Sequence, residues 1–160
     1  GSMRFIVDVL VGLMVVGILG AVILHRGDEP IFSDEREITR LDVRRFQQQI
    51  HLQTVLESEG QRLQKYPMTV RPEWFGEDLP RNALLGEAHP WLEIADAGQR
   101  DLRHPLSPIA VDESDAAFWY NPYQGIVRAR APVGLNDDLT LELYNEINGV
   151  DLPHLFVPAN

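Results

Sequence analysis

The chain has no cysteine. Disulfides and thiolate zinc sites are therefore excluded, and the compartment stays open, because a protein with nothing to oxidise tolerates an oxidising space. Basic residues are scarce: 14 Lys and Arg stand against 24 Asp and Glu, giving a net charge of −10. Such a balance does not suit nucleic acid or an anionic lipid surface as a partner. Signatures of catalysis are lacking as well. The five histidines, at 25, 51, 89, 104 and 154, form no HExxH or HxH array, and there is no Walker loop, no GxGxxG and no GxSxG elbow. No enzymatic activity is expected, and no cofactor.

Polar residues are missing from one long stretch. Phe5 to Leu24 is apolar or glycine throughout except for Asp8. As a helix it is about 30 Å long, the hydrocarbon thickness of a bilayer. A buried soluble helix would carry polar residues each turn. A cleavable signal peptide would be followed by small residues, and Ile23-Leu24-His25-Arg26 supplies none. The segment is expected to remain as a single transmembrane anchor, with Arg4 inside and the acidic remainder outside. Gly1 and Ser2 read as an expression scar before Met3.

A carboxylate within an apolar helix costs a few kcal/mol and needs a partner or a purpose. Arg4, one turn earlier, is the local candidate for Asp8. Gly17 and Ala21 have the small-xxx-small spacing that lets helix backbones approach.

After the break at Gly27 and Pro30, a helix is expected from Ser33 or Asp34 to about Leu63, with Asp34 and Glu37 in capping-box positions. Its apolar stripe is expected to be Ile38, Leu41, Leu52, Val55 and Leu56, with Val43, Phe46 and Ile50 beside it. Tyr66-Pro67 ends that element. Trp74 and Phe75, among turn formers, read as aromatics that plug a loop onto the core or as a candidate partner surface. A short strand or turn is expected around Trp91, and a surface loop from Ala97 to Pro108. Ala116–Tyr120 and Ile126–Ala131 flank Asn121-Pro122-Tyr123-Gln124-Gly125 and predict a hairpin, with Val127, Ala129 and Ala131 inside and Arg128 and Arg130 on an exposed face able to meet an acidic neighbour. Asn136 or Asp137 caps a last helix, Leu139, Leu143 and Ile147 form its inner face, and Gly149 stops it. Residues 151–160 are expected to be a loose tail.

The anchor, with Val16-Gly17-Ile18-Leu19-Gly20-Ala21 downstream of a single acid, resembles the N-terminal helix of type IV pilins and type II secretion pseudopilins. With Asp8 on that family's acid, Gly17, Ile18, Leu19 and Ala21 fall on matching positions. Tyr66-Pro67 and FWYNPYQGIVRAR resemble two further habits of such heads. No Gly-Phe peptidase site precedes Asp8, and Phe5 sits one residue nearer the acid than the family pattern has it. The resemblance implies an α+β pilin-like fold, in which an anchor (3–26) and an amphipathic stalk (27–65) carry a small head (66–150) whose antiparallel sheet packs on the stalk. It implies a structural subunit of a secretion or pilus-type assembly in the bacterial inner membrane, with Asp8 meeting the terminal amine of a neighbouring subunit. Its partners would be the bilayer and other pilin-like or secretion-system subunits. Asp112, Glu113, Asp115, Asp137 and Asp138 offer hard oxygen ligands, and since some major pseudopilins hold calcium in a head loop, they are the calcium candidates. The rival readings are a membrane-tethered scaffold or accessory domain, with Asp8 paired to Arg4, and an anchored enzyme using the acid clusters.

Overall fold

A computed structural model describes residues 33–57 and 64–156. The expected anchor, with Asp8, Gly17 and Ala21, lies outside the described residues. Among those described, no helix is long and apolar enough to cross a membrane.

The fold is α+β, with two helices and a small mixed sheet. Helix α1 (Ser33–Leu56) is followed by a 3-10 turn (Pro72–Phe75), strand β1 (Leu92–Ile94), a second 3-10 turn (Ala97–Gln99), β2 (Ile109–Ala110), β3 (Phe118–Asn121), β4 (Ile126–Ala129), β5 (Ala131–Pro132) and α2 (Asp137–Asn148). The main sheet has the order β1-β3-β4, and β2 pairs with β5 separately. The expected antiparallel sheet is found only in the β3–β4 hairpin; β1 runs parallel to β3, and β2 parallel to β5. The long connection from β1 to β3 accounts for this, since it returns the chain to the same end of the sheet, as a parallel pair requires.

The hairpin forms where expected, in the register Phe118↔Ala129 and Asn121↔Ile126. Its turn closes through Gly125 N–H donating to the Asn121 carbonyl at 2.8 Å, with Gly125 at φ +66°. That left-handed backbone is readily adopted only by glycine.

Helix α1 buries Thr39, Val43, Phe46 and Ile50, a stripe repeating at four, three and four residues. This corrects the expected inner face: Ile38, Leu41, Leu52, Val55 and Leu56 are all exposed, at 39 to 67%. Phe46 decides the rotation. Its ring lies 5.3 Å from both Phe75 and Trp91 and 5.4 Å from Phe118, edge-on to the first and stacked on the second. An aromatic packed among three others is a larger and more specifically oriented anchor than any single aliphatic on the other side.

The loop before β1 is tied along α1 in register. Arg45 pairs with Asp78 at 3.0 Å, Asp42 accepts the Arg81 N–H at 2.7 Å, and Thr39 Oγ1 accepts the Ala83 N–H at 3.0 Å. On the opposite face of the sheet, Trp119 and Asn121 are fully buried. There Asn121 Nδ2 reaches the carbonyls of Gln99, Arg100 and Leu102 at 3.1, 3.1 and 2.8 Å, so one amide fixes the segment read as a plain surface loop.

Helix α2 starts at Asn136, whose Oδ1 accepts the Leu139 N–H at 2.9 Å, and stops at Gly149, with φ +61°. Its buried residues are Thr140, Tyr144, Ile147 and Asn148. Leu139, expected inside, is exposed, because Tyr144 turns the helix toward Ala131 and Leu155. The tail is not loose through Leu155: that residue is buried, and Asn145 and Leu152 exchange two hydrogen bonds of 3.0 and 2.8 Å.

Candidate functional site

Strand β4 is the edge of the main sheet, and its outward backbone groups are occupied by side chains from both helices. From α1, Gln47 donates through Nε2 to the Gly125 carbonyl at 2.6 Å and accepts the Val127 N–H at 3.0 Å. From α2, Asn148 accepts the Ala129 N–H at 2.7 Å and donates to the Ala129 carbonyl at 2.9 Å. Two amides thus imitate a neighbouring strand, and a further strand cannot add there.

The outer side of α1 exposes apolar side chains. Ile38 and Leu41 lie on it toward the N-terminal end, Leu52, Val55 and Leu56 toward the C-terminal end. At 100° per residue this set is centred roughly opposite the buried stripe, so α1 is apolar on two sides. A groove of about 560 Å³ continues the surface from Ile38 past Leu79 to Trp91, edged by Glu35, Arg81 and Glu87.

The residues singled out from sequence are not gathered in one place. Trp74 and Phe75 pack partly buried on the main core, as loop plugs do. Arg130 is not on an exposed face; it is 4% exposed. Its guanidinium pairs with Glu93 and donates to the carbonyls of Ser107 at 2.9 Å and Ala116 at 3.0 Å. The reason is that the side of the sheet opposite α1 is covered too. Arg128 is half-buried and donates from Nε to the Arg103 carbonyl at 3.1 Å.

The calcium candidates are divided between two turns. Asp115 Oδ2 accepts the N–H groups of Val111 at 2.8 Å and Asp112 at 3.2 Å, while Asp112 Oδ1 accepts the Ser114 N–H at 2.8 Å and its hydroxyl. The bonds from Ser114 hold the Asp112 carboxyl below its ordinary range. Glu113 is exposed in the same turn, and Asp137 and Asp138 are exposed in the first turn of α2. Among the described residues no three acids or histidines are grouped to hold a metal.

The most perturbed titratable pair is His104 and Tyr144, with Nδ1 2.9 Å from the phenol oxygen. Burial, followed by the charges of Arg128 and Arg103, pushes His104 down to about 4, and burial pushes the Tyr144 phenol up. Both groups are neutral at pH 7 and act as a polar pin between the 97–108 segment and α2.

The side chains that sequence reasoning passed over are amides: Gln47, Asn82, Asn121 and Asn148. Asn82, buried, donates to the carbonyls of Ala117 at 3.1 Å and Arg130 at 2.8 Å. Their only signal was a polar residue next to an apolar stripe.

No family model, no curated protein and no solved structure matches the chain.

Proposed function

We propose that the chain is a membrane-anchored, pilin-like structural subunit of a secretion or pilus-type assembly. The two-sided character of α1 carries this reading. One side fixes the head through Val43, Phe46 and Ile50, and the other leaves Ile38, Leu41, Leu52, Val55 and Leu56 in solvent. The outer aliphatics form two patches, Ile38 with Leu41 and Leu52 with Val55 and Leu56, about 16 Å apart along the helix with Arg44 and Gln48 between them, and a spine that only supported a head would have no reason to cluster exposed apolar side chains in this way. Further support comes from where the resembling motifs meet: the Tyr66-Pro67 segment packs against the Asn121–Gly125 hairpin, with the Tyr120 hydroxyl donating to the Pro67 carbonyl at 2.6 Å. In this reading the anchor holds subunits in the bilayer, Asp8 sets the register between neighbouring helices, and α1 and the head supply the contacts between subunits. The role is mechanical, with no chemical step.

The test exploits the absence of native cysteine. Full-length chains carrying Leu41→Cys or Leu52→Cys are oxidised in native membranes, with Glu113→Cys as the control. Crosslinked dimers are expected from the two α1 positions and not from the control. Asp8→Ala should remove them without reducing the membrane-bound fraction. Absence of crosslinks, or crosslinks indifferent to Asp8→Ala, would favour the tethered scaffold with Asp8 paired to Arg4.

A further inference from the structure

The sequence from Val133 to Leu139 mixes three aliphatics with two acids, and the fold holds all of them out. Leu135 is 96% exposed, Val133 62% and Leu139 51%, with Asp137 and Asp138 beside them at the start of α2. The projection is built. Gly134 sits so close to Thr140 that a Cβ there would lie 2.3 Å from Thr140 Oγ1, and that hydroxyl donates to the Asn136 carbonyl at 2.8 Å. A leucine presented on a braced turn and followed by two carboxylates has the form of a plug.

A matching hollow lies elsewhere on the same head. Leu102, Leu106, Leu152 and Leu155 line a cavity of about 230 Å³, rimmed by Arg103, His104 and His154, with Asp101 the one acid in its lining. That volume exceeds the roughly 150 Å³ left in a core by deletion of one large aliphatic side chain. The charge nearby is positive: like several other arginines of the chain, Arg103 and Arg128 have no carboxylate partner among the described residues, and Arg128 donates from Nε to the Arg103 carbonyl, which places the two side by side. In a protein of net charge −10, two such arginines beside an apolar hollow suit an incoming acidic, aliphatic segment.

We propose that Leu135 of one copy enters the Leu102–Leu155 hollow of the next, with Asp137 and Asp138 meeting Arg103 and Arg128. This rests on the assembly reading and names its head contact. The plug precedes the N-terminus of α2, whereas the hollow adjoins the other end, where Asn145 clamps Leu152 and Tyr144 meets His104. Two different patches on one molecule make a head-to-tail contact, which repeats along a chain of copies instead of closing a two-fold dimer.

The experiment uses full-length protein in native membranes carrying both Leu135→Cys and Leu106→Cys. Both positions are exposed, at 96 and 70%, so folding should be unaffected. Oxidation is expected to give a ladder of oligomers, with no ladder from either single variant. Arg103→Glu should lower the yield by about fivefold, and adding Asp137→Arg should restore it. Leu135→Ser, in a chain carrying Leu106→Cys and Asp138→Cys, should likewise reduce crosslinking. No ladder, or a ladder indifferent to Arg103→Glu, would overturn the proposal. If the ladder is absent while the Leu41→Cys crosslink persists, this contact is wrong and the assembly reading stands; if both are absent, the assembly reading itself has failed.

Discussion

The ring of Tyr66 lies against the backbone of Gly125 so closely that a Cβ built on the glycine would be 2.5 Å from Tyr66 Cδ1. Gly125 is also in the left-handed region at φ +66°, so two independent constraints require glycine there. Gly125→Ala should therefore destabilise the head by about 2–4 kcal/mol, combining the backbone term with overpacking. Combining it with Tyr66→Ala separates the two, because the clash disappears and the backbone term remains. The alanine at 125 should then cost less than in the parent, a non-additivity readable by urea denaturation.

The amide clamps on β4 differ in burial, which predicts an order. Asn148→Ala leaves the N–H and carbonyl of buried Ala129 without partners and should cost about 2–4 kcal/mol. Gln47 is only half-buried, so water replaces it more easily, and Gln47→Ala should cost about 1–2 kcal/mol. Hydrogen exchange gives the local readout. Gln47→Ala should accelerate the Val127 amide selectively, whereas Asn148→Ala should accelerate Ala129.

Two arginines two positions apart, Arg128 on β4 and Arg130 between β4 and β5, should respond very differently to truncation. Arg130 holds Glu93, the Ser107 carbonyl and the Ala116 carbonyl together, and its loss should cost about 2–4 kcal/mol by orphaning buried acceptors. Arg128→Ala, at a half-buried position bonded to one loop carbonyl, should stay within about 1 kcal/mol. Thermal denaturation of the two variants in parallel decides it. Equal losses would mean that Arg130 is less engaged than its three contacts indicate.

The hairpin, the Asn136 cap and the Gly149 stop were legible in the sequence because each depends on neighbouring residues: a turn glycine, a side chain reaching three residues on, a left-handed terminus. The rotation of α1 was not legible. Its apolar residues occupy two sides, and only the distant Phe75, Trp91 and Phe118 select which side turns inward. Arg130 was misplaced for a related reason. Alternation correctly put it opposite Val127 and Ala129, but nothing local reveals that residues 97–108 cover that side, an arrangement held by Asn121. The parallel β2–β5 pair was missed because two-residue strands leave no period to read. Of the candidate site, the acids and aromatics could be seen as residue types, while the amide clamps could not, since their partners are backbone atoms far along the chain.

The His104–Tyr144 pin predicts a particular pH dependence. In the fold the imidazole is pushed from 6.5 down to about 4, first by burial and then by Arg128 and Arg103. Between those values the unfolded chain binds a proton that the folded chain does not, so stability must fall as pH drops from 6.5 toward 4 and be fully present above 6.5. Because His104 is partly accessible, the contribution is discounted for solvent screening to on the order of 1 kcal/mol. His104→Asn should flatten this part of the stability curve relative to the parent while leaving the behaviour above pH 7 parallel. The measurement is the denaturation midpoint of both proteins at a series of pH values between 4 and 8. A parent and variant whose difference does not change across that window would mean that burial and the two arginines do not hold His104 neutral.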